Sequence, residues 1–218
     1  MVCAVISCIF VFCGVVFPEV FLMILGLTGA IGSGKSAVLA EFSKRNWKCV
    51  DADKLCHAVY EKASNSLVTE LRKLFGDSCV DASNKIDRRV IAKAVFSDRE
   101  LLEKLERLII PEFKKEFAEF IADCRSENVN AICEVPLLFE SGYQKDFDAV
   151  VGIWTPDELR HERLHKLRNM SHEDIVSRER NQFSPEKKIE MADYCIVNDG
   201  TIEDISRQID LLLQEICR

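Results

Sequence analysis

Eight residues constrain this chain more than any others. Gly29, Ala30, Ile31, Gly32, Ser33, Gly34, Lys35 and Ser36 match the pattern G-x-x-x-x-G-K-[ST] in full. Glycines let such a backbone curl into a nest of N–H groups around phosphate oxygens, where side chains would obstruct. Lys35 brings a positive charge to the β- and γ-phosphates. The Ser36 hydroxyl is placed to ligate Mg²⁺, and a helix opening through Ser36 and Ala37 turns its positive end toward the anion. The pattern carries this meaning only between a strand and a helix. Before it, Met23-Ile-Leu-Gly-Leu-Thr28 is an apolar strand; after it, Val38, Leu39 and Phe42 recur with helical spacing. The chain is therefore expected to bind a nucleotide.

The next strand, Trp47 to Asp51, ends in Asp51-Ala52-Asp53. At the carboxyl edge of a parallel sheet, strand ends face the ligand crevice. Two carboxylates there suit a Mg²⁺ partner and a base for an attacking hydroxyl. The same residues also fit a polar strand-to-helix junction with Asp53 capping a helix from Lys54. Residues 54–75 then read as one helix, 75–81 as a turn, and 87–124 as a helical stretch that Pro111 is expected to break in two. Strands follow at Val129–Val135, Asp148–Trp154 and Tyr194–Val197, with a terminal amphipathic helix from about Ile202. Alternating strands and helices, with a long helical insertion between strands two and three, predict a doubly wound parallel α/β sheet. Residues 23–218 form one domain in this reading, with a helical lobe at about 54–126.

Charge narrows the partners. The chain has 218 residues with 29 Lys+Arg against 36 Asp+Glu, a net charge of -7, so nucleic acid is not an expected partner. The exception is residues 160–188, where Arg160, Arg163, Lys166, Arg168, Arg178, Arg180, Lys187 and Lys188 outnumber the acids. Downstream of a phosphate loop, that stretch suits an arginine-bearing lid over about 157–188. Alone, it would better fit a solvated helix hairpin. Within it, His161-Glu162-Arg163-Leu164-His165 has the H-E-x-x-H spacing of a zinc helix. No convincing third ligand follows it, and His172 lies beyond a turn at 169–171, so zinc is not expected. The ten cysteines contain no C-x-x-C pair and read as reduced thiols of a cytoplasmic protein. Cys133 and Cys195, inside apolar runs, are expected to be buried.

The first 22 residues differ from the rest: Glu19 is the only charged side chain before Lys35. An anchor, an export signal and a segment upstream of a start at Met23 all fit such a run. The last is preferred. The run is at the short end for a membrane span and lacks a basic flank, and export would separate a nucleotide site from ATP. A membrane partner is not expected.

Taken in order, these motifs resemble the dephospho-CoA kinase family over nearly the whole chain from Ile24 to about Leu212. The residues carrying the resemblance begin with GLTGAIGSGKS at 26–36, DADKLCH at 51–57 and Ile86-Asp87-Arg88. They continue through Val95-Phe96, Leu105-Glu106, Val135-Pro136-Leu137-Leu138-Phe139-Glu140 and Arg163-Leu164. Arg178, Gln182, Lys187, Ala192-Asp193 and Val197-Asn198-Asp199-Gly200 complete them. The resemblance implies a P-loop nucleoside-kinase-like fold with a helical acceptor-binding insertion and a helical lid. It implies ATP and Mg²⁺ as cofactors, and phosphoryl transfer to the 3′-hydroxyl of dephospho-CoA. By the same carry-over Asp53 is the base with Asp51 beside it, and Asp51, Asp53, His57, Arg88, Pro136 and Leu137 line the acceptor cleft. Arg163, Arg168 and Arg178 become lid arginines, Arg163 acting in catalysis with Lys35, and Asn198 and Gly200 lie near adenine. Two positions depart from the family: Ile110 stands where His often precedes the proline, and Ala30 replaces a usual glycine. Another small-molecule or nucleoside monophosphate kinase is the alternative. A guanine-reading switch is excluded by the lack of an N-K-x-D element.

Overall fold

In the computed structural model, which describes residues 22–216 except 82, 97 and 181, five parallel strands form one sheet in the order β2-β3-β1-β4-β5. They are β1 (Ile24–Gly29), β2 (Lys48–Asp51), β3 (Ala131–Glu134), β4 (Ala149–Trp154) and β5 (Tyr194–Val197). Period-two alternation divides their side chains between two cores. Leu25, Leu27, Ile132, Val151 and Ile153 face α1 (Lys35–Ser43) and α9 (Ile202–Ile216), where Phe42 meets the edge of Trp47 at 5.2 Å. Ile24, Ala131, Cys133 and Val150 face the other way, toward Phe117 and Cys124 of α5 (Arg99–Glu127) and the loop residues Leu138, Phe139 and Phe147. The predicted doubly wound architecture is the observed one.

Between β2 and β3 the chain builds a helical layer from α2 (Ala52–Glu61), α3 (Asn65–Phe75), α4 (Arg88–Val95) and α5. It encloses a third core around Val59, Leu71, Cys79, Ile91, Leu105 and Ile109. Two boundaries differ from expectation. Residues 54–75 are two helices, because the first ends at Lys62 and Ser64 caps the next by accepting from Leu67 N at 3.2 Å. Pro111, by contrast, lies inside a 29-residue α5. The missing N–H removes one helical bond, a cost of about 3 kcal/mol in an unsupported helix. The apolar stripe Leu105–Ile109–Phe117–Cys124 stays buried on both sides of that point, so packing holds the helix together. The break falls earlier, where Asp98 caps α5 through Leu101 N at 2.9 Å.

After β4 come α6 (Asp157–Arg168), α7 (His172–Glu179) and α8 (Pro185–Met191). Asn169 ends α6 in the left-handed conformation, the turn expected at 169–171. Cys133 is buried as expected, but Cys195 is exposed: β5 is an edge strand, and its inward position is taken by Ile196. All six described cysteines Cys49, Cys56, Cys79, Cys124, Cys133 and Cys195 are free. No described helix is long and apolar enough to cross a membrane. Residues 1–21, on which the readings of the N-terminal segment rest, lie outside the described residues.

Candidate active site

The phosphate loop joins β1 to α1 at the carboxyl edge of the sheet. Gly32 and Gly34 have φ of 79° and 90°, in the region that favours glycine. Even without that strain, a side chain at either position would force its neighbours to shift. A Cβ on Gly34 would overlap the Asn198 amide, and one on Gly32 would lie 2.9 Å from Leu164 Cγ and 3.0 Å from Arg160 O. The loop is thus clamped from α6 and from the end of β5. Ser33 O accepts from Asn198 Nδ2 at 2.7 Å and from Thr155 Oγ1 at 3.1 Å. Ile31 O accepts from Arg160 at 2.9 Å. These bonds engage loop carbonyls through surrounding side chains, consistent with a cradle of N–H groups for an anion. Ser33 Oγ is buried without a partner, a further polar atom in the loop.

Lys35 extends back along the loop, donating to Gly29 O and Ala30 O, both at 3.1 Å. Burial lowers its pKa to about 8. The charge of Glu134 opposes that shift, while Lys188, Arg168 and Arg160 reinforce it. Ser36, the second residue of α1, is exposed with its hard hydroxyl oxygen available to a cation such as Mg²⁺.

Across from the loop stand the carboxylates. Asp51 ends β2 and pairs in register with Glu134 at the end of β3, which itself pairs with Leu27 two residues before the loop. Asp51, not Asp53, caps α2: its Oδ1 accepts from Asp53 N at 2.8 Å. The strand-to-helix cap expected after β2 is therefore made by Asp51. Asp53 sits exposed in the first helical turn, and its carboxylate makes no hydrogen bond to any described residue. Glu134 is the acid that the sequence reading missed. Burial raises its carboxyl pKa, Asp51 and Asp53 push the same way, and Lys35 and Arg168 oppose. The signal for it was an acid closing a strand that lies beside β2.

The remaining expected residues fall into two groups. Arg163 reaches Asn198 O and Oδ1, both at 3.3 Å, and Asn198 is buried, so this pair is built into the wall of the phosphate loop. Arg168 lies close enough to influence both Lys35 and Glu134. Arg178 is exposed on α7, and Gly200 lies against Asp204, whose carboxylate caps α9 through Thr201 N at 2.9 Å. On the other side, His57 and Arg88 are exposed on the helical layer, Arg88 over the Tyr60 ring at 5.5 Å. Pro136 and Leu137 follow β3, with Leu137 39% exposed. Ile110 is exposed on α5. The H-E-x-x-H histidines have separate partners: His161 Nε2 lies 3.3 Å from Glu179 Oε1, and His165 Nδ1 3.2 Å from Met170 O.

A dephospho-CoA kinase family model matches residues 23–204, which takes in the loop, the carboxylates and the basic helices together. This chain belongs to the dephospho-CoA kinase family. The dephospho-CoA kinase of Aquifex aeolicus (strain VF5) is 39% identical over 194 residues, covering 89% of this chain and 97% of that one. That of Staphylococcus aureus (strain Mu50) is 33% identical over 192 residues, covering 88% and 92%. The solved dephospho-CoA kinase of Campylobacter jejuni superposes with a TM-score of 0.69 at 27% identity, covering 89% and 96%. A shikimate kinase of Acinetobacter baumannii, with a TM-score of 0.50 at 15% identity over 90% and 95%, shares the fold alone. The chain is thus an ATP-dependent phosphotransferase of the dephospho-CoA kinase family, and the other small-molecule kinases are not favoured.

Proposed function

We propose that the chain transfers the γ-phosphoryl group of ATP to the 3′-hydroxyl of the dephospho-CoA ribose, giving CoA and ADP. The observation that carries this reading is the juxtaposition of a built phosphate loop with Asp51 and Glu134 at adjoining strand ends and Asp53 in the helical turn that follows. Loop N–H groups and the Lys35 ammonium hold the donor phosphates. Arg163, beside the loop, and Arg168 offset charge on the transferring group. Mg²⁺ held by Ser36 and the donor phosphates would neutralise further charge. The acceptor ribose lies between Asp53 and the Pro136–Leu137 backbone, with His57 and Arg88 along the cleft wall. Asp53 takes the hydroxyl proton as the ribose oxygen bonds to the γ-phosphorus, and the bond to the β,γ-bridging oxygen breaks to release ADP. The helices over about 157–188 act as the lid and those over about 54–126 as the acceptor lobe.

The test is ADP release coupled to mass detection of CoA, with adenosine, AMP and shikimate as controls. ADP formation that requires dephospho-CoA and yields CoA supports the reading; ATP binding without CoA formation overturns it. Asp53→Asn should lower kcat about 100-fold or more with little change in the KM for ATP. Near-normal kcat in that variant would remove Asp53 as the base.

A further inference from the structure

Lys188 of α8 is fully buried, one of the two largest charged side chains in the interior. A buried ammonium is unfavourable by several kcal/mol unless it is paired and hydrogen-bonded. Here it has two partners: Pro136 O at 2.6 Å and Glu140 Oε1 at 3.0 Å. Glu140 Oε1 also accepts from Phe183 N at 2.7 Å, which fastens the segment leading into α8 to the same carboxylate. Pro136 O receives a second donor, Thr28 Oγ1 at 3.4 Å, from the residue that precedes Gly29 of the phosphate loop. Proline has no N–H, so the carbonyl is this residue's only backbone hydrogen-bonding group. One carbonyl is therefore held between the strand that leads into the loop and the last helix before β5. The peptide it belongs to continues into exposed Leu137, on the acceptor side of the site.

An apolar side chain could fill the space beneath Pro136 without the desolvation of a charge. It could not hold a carbonyl in place. The neighbouring Lys187, which the family resemblance picked out, is exposed and lies over the Phe183 ring at 3.6 Å, away from Pro136 O. Lys188 also stands near enough to the loop for its charge to act on Lys35.

We propose that Lys188 is a positioning residue for the acceptor, fixing the Pro136–Leu137 backbone through the Pro136 carbonyl. This rests on the acceptor reading above. Positioning of this kind acts on the acceptor more than on the donor. Lys188→Met keeps the length of the side chain and removes the donor. It should raise the KM for dephospho-CoA about tenfold or more at saturating ATP, while the ATP dissociation constant changes less than about threefold. Thr28→Val loosens the same carbonyl without touching the ion pair and should raise the acceptor KM by a few-fold. It decides the matter if Lys188→Met does not fold, as judged by its melting curve. An unchanged acceptor KM in the folded Lys188→Met variant, or donor and acceptor constants rising together in step with lost stability, would overturn the proposal. If Lys188→Met does not fold, an unchanged acceptor KM in Thr28→Val does the same. Wild-type protein that binds ATP but makes no CoA overturns the acceptor reading, and the role of Lys188 with it, before any variant is compared.

Discussion

The two sides of the site are built differently. On the donor side nearly every group is committed: Ser33 O has two donors, Ile31 O has the buried Arg160, and Asn198 bridges the loop to Arg163. Arg160 is further pinned by Asp157 at 2.6 Å and Glu179 at 2.7 Å, so the loop, α6 and α7 form one bonded unit. On the side proposed for the acceptor, Asp53, His57 and Arg88 are exposed, and α2, α3, α4 and α5 pack around a core of their own. A phosphate cradle depends on backbone direction, and only dense packing fixes that. Side chains that meet a larger, more varied acceptor can stand on a helical surface. Changes on the donor side should therefore disturb structure and function together, and changes on the acceptor side should disturb function alone.

The sharpest test of this contrast is Lys35→Met, which keeps the length but removes the charge at the transferring phosphate. Turnover should fall about 1000-fold or more, read as kcat in the CoA assay. A residual rate within tenfold of wild type would place the main charge stabilisation elsewhere. Gly34→Ala comes next. Its Cβ would overlap the Asn198 amide at a φ of 90°, so it should lower stability by about 1–3 kcal/mol and weaken ATP binding at once. Denaturant unfolding and nucleotide titration read the two effects. A variant as stable as wild type would show that the loop is not clamped. Arg88→Ala should act oppositely. It should raise the acceptor KM about tenfold and leave stability within about 0.5 kcal/mol, because the side chain is exposed and, among the described residues, held only over Tyr60. A loss of stability as large as that of Gly34→Ala would erase the contrast.

The smallest effect is a pH dependence. With its pKa lowered to about 8 from 10.5, Lys35 in the free protein loses its proton as pH rises through about 8. Donor phosphates favour the charged form, so ATP affinity should weaken above about pH 8, and binding there should take up a proton. By the same sign the nucleotide-free fold should gain stability from about pH 8 to 10.5, where the unfolded chain binds more protons. Calorimetry in buffers of different ionisation enthalpy measures the uptake. No uptake at pH 9 would mean that Lys35 stays charged.

Much of this was legible in the sequence for a local reason. The loop needs its glycines, and the sheet shows in short apolar runs ending at Asp51 and Pro136, since both follow from backbone rules. The errors occur where tertiary packing decides. Pro111 was expected to break a helix, but its neighbours Ile109 and Phe117 bury a continuous stripe. Cys195 was expected inside, but an edge strand turns it outward. Ser64 did signal its cap, and it went unread inside a long helical pattern. Asp53 was read as a possible cap of the helix after β2, but Asp51 caps it, because the choice depends on the φ and ψ at the junction. Glu134 was not singled out, and Arg160 and Lys188 were read only as members of a basic lid and not as buried, because a charged residue discloses its burial only when its partners are assembled around it.

The most direct measurement follows the phosphoryl group itself. Wild-type protein would be given ATP labelled in the γ-phosphate together with dephospho-CoA, and the products separated and identified by mass and phosphorus resonance. The account predicts label in a new ribose 3′-phosphate, one equivalent for each ADP released. Label found in inorganic phosphate alone, or remaining in ATP while dephospho-CoA is bound and unchanged, would contradict it.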